Sequence, residues 1–486
     1  MPVAARSDTN IKWHVQCACL LALLSIVPIN PLTARHRPSS KIVVLAHVTV
    51  VDLRSGQLHQ NQTIVIEGER IAVIGRSGAV VVPRGARVIS AAGKYVIPGL
   101  CDAHVHLSYL GACALPVFVA NGVTSVRDCG ARTEDTAIWR KKIAEGELIG
   151  PRIKTSGPNL ESREWLERAR KILPPTDVAW RLGPRREVTD AGQAAGVVES
   201  LASLGVDFVK FRNLPRSSFM AVMTEAKRKG LAVAGHAPKG ITLAEASEAG
   251  MKSIEHAETI TLTLGSLSDE ERLRSFQMLA RNGTLITPTL ITDVAAHLTP
   301  DSEAVDIISD THNVRDVRRK YVAAQTLRLW QHGIELKKQY EEAEDWRAQY
   351  RREVEDMRLA CRAGVRMMTG TDVGGIFGLY PGFSLYDELE LLVKEVGLTP
   401  VEALRSATQN PPAFFGSQNE LGAIEPGKIA DLVLLDANPL ADIRNTRRIR
   451  AVVIGGKVLE RPALDALLAD VALSVVKRTG CAVGGD

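Results

Sequence analysis

The sequence predicts an α/β fold: a (β/α)8 TIM barrel combined with a small β-sandwich domain built from both ends of the chain. Three observations predict it. Short apolar strands alternate with helical segments through the middle of the chain. β-rich blocks flank this region at residues 41–97 and 421–460. His, Lys and Asp residues stand at the carboxyl ends of the predicted strands, which form the face where barrel active sites lie.

The first residues of the chain have the composition of a secretory signal. Arg6 and Lys12 precede an apolar run over residues 15–29, and a segment with proline and alanine follows. This order predicts a signal peptide over residues 1–34. The run is shorter than the roughly 20 apolar residues of a membrane span. We therefore expect an exported protein, periplasmic or secreted, without stable membrane insertion after processing.

The two β-rich blocks carry the marks of one composite domain. In residues 41–97, runs of β-branched residues are interrupted by turn glycines such as Gly56 and Gly68. In residues 421–460, two apolar runs are followed by the turn Gly455-Gly456. Because the ends of a domain often lie close together, the blocks are expected to form one β-sandwich.

Residues 98–420 alternate strands with helices, which is the pattern of a barrel of parallel strands. The predicted strands are residues 95–106, 124–128, 152–157, 207–212, 231–236, 253–256, 285–289 and 366–372. Two connections are long, residues 161–190 and the insertion 291–363. The insertion is rich in Glu–Lys/Arg pairs at helical spacing, and we expect it to cover the barrel mouth. Residues 461–486 are assigned to a C-terminal tail.

Composition excludes several classes of protein. The chain has 486 residues, a net charge of +5 and 24% charged residues, as expected for a soluble globular protein. The basic residues are spread out, so no nucleic-acid partner is expected. The seven cysteines are irregularly spaced and predict no disulfide framework. Whether the chain forms a homo-oligomer is left open.

The strongest chemical signal is VIPGLCDAHVH at residues 96–106. His104 and His106 are two residues apart, so on an extended strand both side chains point to the same face. Two imidazoles at the end of a barrel strand can chelate one metal ion.

Four further polar residues each end a different predicted strand: Lys210, His236, His256 and Asp372. Taken singly, each has an ordinary explanation. A lone His is commonly a hydrogen-bonded core residue, a Lys marks an exposed edge, and an Asp caps a turn or helix. Taken together they predict a metal centre, because barrel active sites collect residues from several strands.

These motifs make the chain resemble the amidohydrolase superfamily, in its imidazolonepropionase-like and prolidase-like (Xaa-Pro dipeptidase-like) branch. The resemblance runs over residues 43–459. It includes LGAIEPGKIADLV at residues 421–433 and SATQNP at residues 406–411. It implies a hydrolase of amide C–N bonds, with a dipeptide or a related N-acyl amino acid as substrate.

The resemblance also implies a ligand set for two divalent ions, with zinc as the expected metal. His104, His106 and Asp372 would bind the more buried ion, and His236 and His256 the second. Lys210 would bridge both as a carbamate, which its burial favours by lowering the lysine pKa. A hydroxide held between the ions would attack the amide carbonyl, and Asp372 would pass its proton to the departing nitrogen.

Several alternatives remain open. After Lys210 the chain reads FRNLPR, where many relatives carry Ser-Gly-Gly, so a mononuclear cyclic-amide hydrolase is one alternative. A lactonase or phosphotriesterase is another, because the same hydroxide attacks esters. Pro238-Lys239 follows His236 where a deaminase needs a Glu, which argues against deamination. A non-catalytic binding protein would be expected to have lost a ligand, and none is missing.

Substrate contacts are predicted from polar residues near the strand ends. These are Tyr109, Arg127, Asn159, Arg212 and Tyr380. Arginine, asparagine and tyrosine donate hydrogen bonds to carboxylates, so these residues are expected to bind the carboxylate of a small-molecule or dipeptide substrate.

Overall fold

The computed structural model describes residues 42–173, 178, 181–340 and 345–477. The predicted signal peptide, residues 1–34, lies outside these ranges, as do residues 478–486 of the predicted tail. Within the described part of the chain, Cys101, Cys129 and Cys361 are free thiols. In that same part, no helix is both long enough and apolar enough to cross a membrane.

The strands form one mixed sheet and two parallel sheets. In chain order they are β1 (Ile42–Asp52), β2 (Gln57–Glu67), β3 (Arg70–Arg76), β4 (Arg87–Ser90), β5 (Tyr95–Pro98), β6 (Leu100–Val105), β7 (Val123–Asp128), β8 (Arg152–Thr155), β9 (Asn159–Ser162), β10 (Arg185–Val188), β11 (Phe208–Phe211), β12 (Ala232–Gly235), β13 (Ser253–Glu255), β14 (Leu285–Thr287), β15 (Leu432–Leu435), β16 (Ile449–Ile454) and β17 (Lys457–Glu460).

The mixed sheet has eight strands and is built from both ends of the chain. Its order is β17-β16-β15-β5-β1-β2-β3, and β4 pairs with β1. The early strand β5 pairs in parallel with β1 and antiparallel with the late strand β15. Residues from both ends, including Val48, Ile64, Val96, Leu432 and Val453, share one buried apolar cluster. This arrangement is consistent with the predicted β-sandwich domain.

The two parallel sheets have the orders β6-β7-β8 and β10-β9-β11-β12-β13-β14. Their strands are buried along most of their length, as expected for parallel strands covered on both faces. The predicted α/β class is therefore confirmed. The pair β9 and β10 was not predicted, because it includes residues assigned to a long connection. The predicted strand over residues 366–372 forms isolated bridges, Met367 to Ile286 and Val373 to Val105.

Helices separate the strands and fill the predicted insertion. They span Leu107–Leu110, Leu115–Ala120, Thr133–Glu145, Arg163–Ile172, Ala194–Ser203, Arg216–Arg228, Leu243–Glu248, Ala257–Leu264, Asp269–Asn282, Leu290–Asp293, Asp301–Ser309, Ala324–Tyr340, Trp346–Arg362, Ser384–Leu391, Pro400–Ser406, Asn410–Phe414 and Arg461–Lys477. The last helix falls in the predicted tail. It packs on the helix Leu115–Ala120 and buries Leu464 and Val471, so this part of the tail belongs to the folded body.

Gly99 is the point where the chain leaves the mixed sheet and enters the first parallel sheet. The sequence predicted one strand over residues 95–106, whereas β5 ends at Pro98 and β6 begins at Leu100. The Gly99 N–H donates to the carbonyl oxygen of Asp431 at 2.7 Å. A Cβ at this position would overlap the Thr124 side chain, with Cγ2 only 2.8 Å away. The close crossing of the two sheets therefore requires glycine.

Gly99→Ala is expected to reduce the free energy of unfolding by about 1–3 kcal/mol, the usual cost of overpacking a tight core. Gly196→Ala is the control, because Gly196 lies in the helix Ala194–Ser203 with nothing within 4 Å of an added Cβ. That change should stabilise the protein by up to about 1 kcal/mol, since alanine favours helix. Urea unfolding of the two variants measures both values. Equal stability of Gly99→Ala and the wild type would contradict the tight crossing.

Candidate metal centre and substrate cavity

The predicted ligands come together at the carboxyl ends of the parallel strands. His104 lies in β6 with His106 just after it, and Lys210 lies in β11. His236 directly follows β12, and His256 directly follows β13. The ring centroids of His104 and His256 are 4.7 Å apart, as are those of His236 and His256. The centroids of His104 and His106 are 5.4 Å apart.

Asp372 lies against the same histidines. Its Oδ1 is 2.9 Å from Nε2 of His106 and 3.4 Å from Nε2 of His104. Ligand atoms of His104, His256 and Asp372 all lie within 4.8 Å of one another. Each of these residues comes from a different segment of the chain, so only the fold brings them together.

The ligand atoms fit a divalent cation. Nε2 of His104 and Oδ1 of Asp372 are buried, and neither has a well-oriented hydrogen bond among the described residues, although they face each other at 3.4 Å. Buried polar atoms are normally satisfied, so two unsatisfied ones that face each other indicate a missing partner. Imidazole nitrogens and carboxylate oxygens are the ligands that zinc and similar ions take.

The protonation states of the cluster also suit metal binding. Burial, with the charge of Lys210, lowers the pKa of His104 to about 4. Burial likewise lowers the pKa of His236 and of His256 well below the usual range. For Asp372, burial alone would raise the pKa, but His104 and His106 together hold it below the usual range. At neutral pH His104, His236 and His256 are therefore neutral and the Asp372 carboxylate is ionised, as ligands must be.

Lys210 is a lysine with almost no contact with solvent. Its side chain is 1% exposed and lines the same cavity as His236 and His256. Burial is the largest influence on its pKa and lowers it. The neutral amine, which is the form that reacts with carbon dioxide, is therefore favoured relative to an exposed lysine.

Backbone strain accompanies two of the ligands. His256 has φ 68° and Asp372 has φ 56°, which is a left-handed conformation that side chains other than glycine rarely adopt. Gly374 follows Asp372, and a Cβ there would lie 2.6 Å from the His106 Cβ. Strain and close packing of this kind concentrate at functional sites, where the surrounding fold enforces them.

A cavity of about 530 Å³ opens at this cluster. Three of the predicted substrate contacts, Tyr109, Asn159 and Arg212, line it together with every metal-ligand candidate except His104. It is also lined by Trp165 and Arg185, which were not in the predicted site. Both come from the segment around β9 and β10 that was assigned to a connection, so strand periodicity gave no signal for them.

Two arginines stack on the ring of one indole at the cavity wall. The guanidinium carbons of Arg185 and Arg212 lie 4.7 Å and 5.1 Å from the Trp165 ring centroid. Within the described residues, Nε and Nη1 of Arg185 are buried without a hydrogen-bond partner, and Nη1 lies 3.9 Å from the Glu161 carboxylate. This wall therefore offers positive charge and unused guanidinium donors to an anionic group.

The structure places the other two predicted substrate contacts elsewhere. Arg127 is fully buried behind the ligands and pairs with Glu255 at 2.6 Å. Tyr380 packs edge-on against Trp330, and Arg318 lies 4.3 Å over its ring. Neither side chain is among the residues found to line the cavity. The substrate-contact prediction for Arg127 and Tyr380 is corrected accordingly, since each is engaged inside the protein.

Comparison with known proteins gives consistent matches over most of the chain. The model of the amidohydrolase family matches residues 95–459. An ochratoxinase from Aspergillus niger is 24% identical over 488 residues, covering 90% of this chain and 90% of that protein. An imidazolonepropionase from Fusobacterium nucleatum is 21% identical over 418 residues, covering 79% of this chain and 87% of that one.

A solved structure is similar over nearly the same length. It is a candidate prolidase from Bifidobacterium longum, 27% identical in sequence, with a TM-score of 0.67. The match covers 89% of this chain and 100% of that chain.

Proposed function

This chain belongs to the amidohydrolase family, and from that premise we propose that it is a metal-dependent hydrolase cleaving the amide bond of a dipeptide or related N-acyl amino acid. The family predicted from the histidine motif is thereby confirmed, and its members are hydrolases that act on C–N bonds. The observation that carries the proposal is the cluster of His104, His256 and Asp372, whose ligand atoms lie within 4.8 Å of one another and include the buried, unsatisfied Nε2 of His104.

The barrel belongs to the same proposal. The Asp207 N–H donates to the Thr155 carbonyl at 2.8 Å, linking β8 to β11. The segment over residues 366–373 bridges β14 at one end and β6 at the other. These contacts support eight parallel segments closed into a (β/α)8 barrel, with residues 41–97 and 421–460 forming the β-sandwich domain. An exported location, predicted from residues 1–34, stays a prediction.

Two divalent ions, with zinc as the expected metal, are part of the proposal. One ion would be held by His104, His106 and Asp372, and the other by His236 and His256. A carbamate on Lys210 would contact both ions. When bound, such ions acidify a water molecule and polarise the scissile carbonyl. The unsatisfied ligand atoms and the neutral histidines support this assignment.

Asp372 is the proposed proton carrier. Its carboxylate is held ionised by the surrounding histidines and lines the cavity where the substrate would lie. It can take a proton from the attacking water and release it to the departing nitrogen, which must leave as a neutral amine. Amide cleavage then needs no covalent intermediate with the protein.

The arginines at the cavity wall support a substrate with a free carboxylate. Arg185 and Arg212 would bind the carboxylate of the amino acid released from the scissile amide, since charge-assisted hydrogen bonds to carboxylates are strong and directional. A prolidase among the similar structures is consistent with a dipeptide. The sequence after Lys210 and the similar imidazolonepropionase keep a mononuclear cyclic-amide hydrolase as the second candidate.

Metal analysis of the purified protein, with a panel of substrates, tests the proposal. The panel holds dipeptides, N-acyl amino acids, cyclic amides, lactones and phosphotriesters. We expect the protein to hydrolyse dipeptides and N-acyl amino acids and to contain about two metal ions per chain. Preferential turnover of lactones or phosphotriesters, or the absence of bound metal after reconstitution, would overturn it.

Arg212→Met is expected to lower kcat/KM for dipeptides by about 10- to 100-fold, chiefly through KM, because a charged hydrogen bond to the carboxylate is lost. The same dipeptides with an amidated C-terminus should react equally slowly with wild type and variant. Arg216→Met is the control, since Arg216 pairs with Glu245 on the surface at 2.8 Å. An equal loss for both substrate forms would contradict carboxylate binding by Arg212.

A further inference from the structure

The buried ion pair of Arg127 and Glu255 lies directly behind His104 and has no part in the mechanism above. Oε2 of Glu255 is 2.6 Å from the Arg127 guanidinium and 2.8 Å from Nδ1 of His104. All three side chains are fully buried. We propose that this pair positions His104, holding a proton on its Nδ1 so that Nε2 is free to bind the metal. The inference rests on the metal site of the proposed function.

The argument follows from which atoms can donate. An ionised carboxylate only accepts hydrogen bonds, so the ring nitrogen that faces Glu255 must carry a proton. A neutral imidazole has one N–H, which leaves Nε2 of His104 with its lone pair. That atom is buried, has no hydrogen-bond partner in the described ranges and lies 3.4 Å from Oδ1 of Asp372. Glu255 therefore sets which nitrogen points into the metal centre.

Arg127 makes this arrangement rigid and electrically balanced. Its Nε donates to the Ala103 carbonyl at 2.5 Å, and its NH2 group also reaches the Thr287 hydroxyl at 3.1 Å. The Ser253 hydroxyl donates to the second oxygen of Glu255 at 2.5 Å. A buried carboxylate without a cation would be costly, so Arg127 is what allows Glu255 to stay ionised. The pair thereby ties β6, β7, β13 and β14 together behind one ligand.

Among the described residues, His256 lacks a charged acceptor of this kind at its Nδ1. Nδ1 of His256 lies 2.9 Å from the hydroxyl oxygen of Thr289. A hydroxyl can donate or accept, so Thr289 alone does not decide the tautomer of His256. Glu255, the charged acceptor behind His104, does decide the tautomer of His104. Groups in this position commonly change metal affinity 10- to 100-fold when they are altered.

Glu255→Gln tests the proposal with little change of shape. We expect its zinc affinity, measured by competition with a chelator, to fall by about 10- to 100-fold. In metal-free protein with 15N-labelled histidine, His104 should carry its single proton on Nδ1 in the wild type and populate both neutral tautomers in the variant. Glu255→Asp keeps the charge and should retain more affinity than Glu255→Gln.

Asp356→Asn is the matched control. Asp356 is a buried carboxylate paired with Arg272 at 2.9 Å, and it is not among the candidate metal ligands. Loss of stability with unchanged zinc affinity is expected for it. Unchanged affinity in folded Glu255→Gln, or a wild-type His104 protonated on Nε2, would overturn the inference. The wild-type measurement decides even if the variant fails to fold. A wild type that binds no zinc would instead refute the proposed function.

Discussion

Asp372→Asn is expected to lower kcat for amide hydrolysis by about 10³-fold or more, because asparagine has the shape of aspartate but cannot carry a proton. The carboxylate lies 2.9 Å from Nε2 of His106 and is kept ionised by the histidines around it. Its replacement removes both an ionised metal ligand and the group that would protonate the leaving nitrogen. Steady-state kinetics at saturating substrate, with metal content determined on the same samples, measures the effect.

The metal content separates the two roles of Asp372. A sample of Asp372→Asn that retains its metal and still loses kcat identifies the proton-transfer role. Asp387→Asn is a control outside the cavity, since Asp387 pairs with Arg318 and Arg447. A kcat within tenfold of the wild type, at full metal content, would rule Asp372 out as the proton carrier.

Lys210→Ala is expected to reduce the metal content from about two ions per chain to about one and to lower kcat/KM by at least about 100-fold. Alanine provides no carbamate, so the two oxygens proposed to bridge the ions are lost. Metal analysis and kinetics on the same preparation measure both changes. Short carboxylic acids should restore part of the activity, because their two oxygens can occupy the space that the carbamate leaves.

Lys229→Ala is the control for this substitution, since Lys229 pairs with Glu199 and does not line the cavity. A single ion per chain in both the wild type and Lys210→Ala would indicate a mononuclear centre. Cyclic amides would then be the substrates to test next. Two ions retained in Lys210→Ala would contradict the bridging role directly.

The clustering of the candidate ligands could be predicted from sequence because these residues follow simple rules of strand geometry. His104 and His106 are two apart on one strand, and Lys210 and His236 occur where apolar strands end. Such positions depend on local periodicity, which the sequence displays directly. The strands of the mixed sheet could also be predicted from the sequence, since runs of β-branched residues and turn glycines occur in both of its halves.

The partner of His104 could not be predicted, because it depends on a departure from strand geometry. Glu255 and His256 are adjacent, and alternation along a regular strand would send their side chains to opposite faces. The left-handed backbone of His256, with φ 68°, ends the strand there, and both residues come close to His104. Nothing in the local sequence specifies this turn.

Arg127 and Tyr380 show that the direction of a side chain could not be predicted from its position in the sequence. Each stands near a strand end, so its position along the chain suggested a place at the cavity. Whether a long side chain points outward or is drawn inside depends on its tertiary partners, here Glu255 for Arg127 and Trp330 for Tyr380. Arg185 and Trp165 were not predicted as cavity residues, because they reach the cavity from a segment without clear periodicity.

The pairing of β5 with β15 affects when, during synthesis of the chain, the region around His104 can fold. β5 emerges early, but Ile97 pairs with Val433, near the other end of the sequence. Until β15 has been synthesised, β1 is the only strand of the described chain that pairs with β5, and the other edge of β5 is unpaired. Contacts between such distant segments form late. Because β5 leads through Gly99 directly into the strand carrying His104, the nascent protein should become able to bind the proposed metal only after β15 has been made.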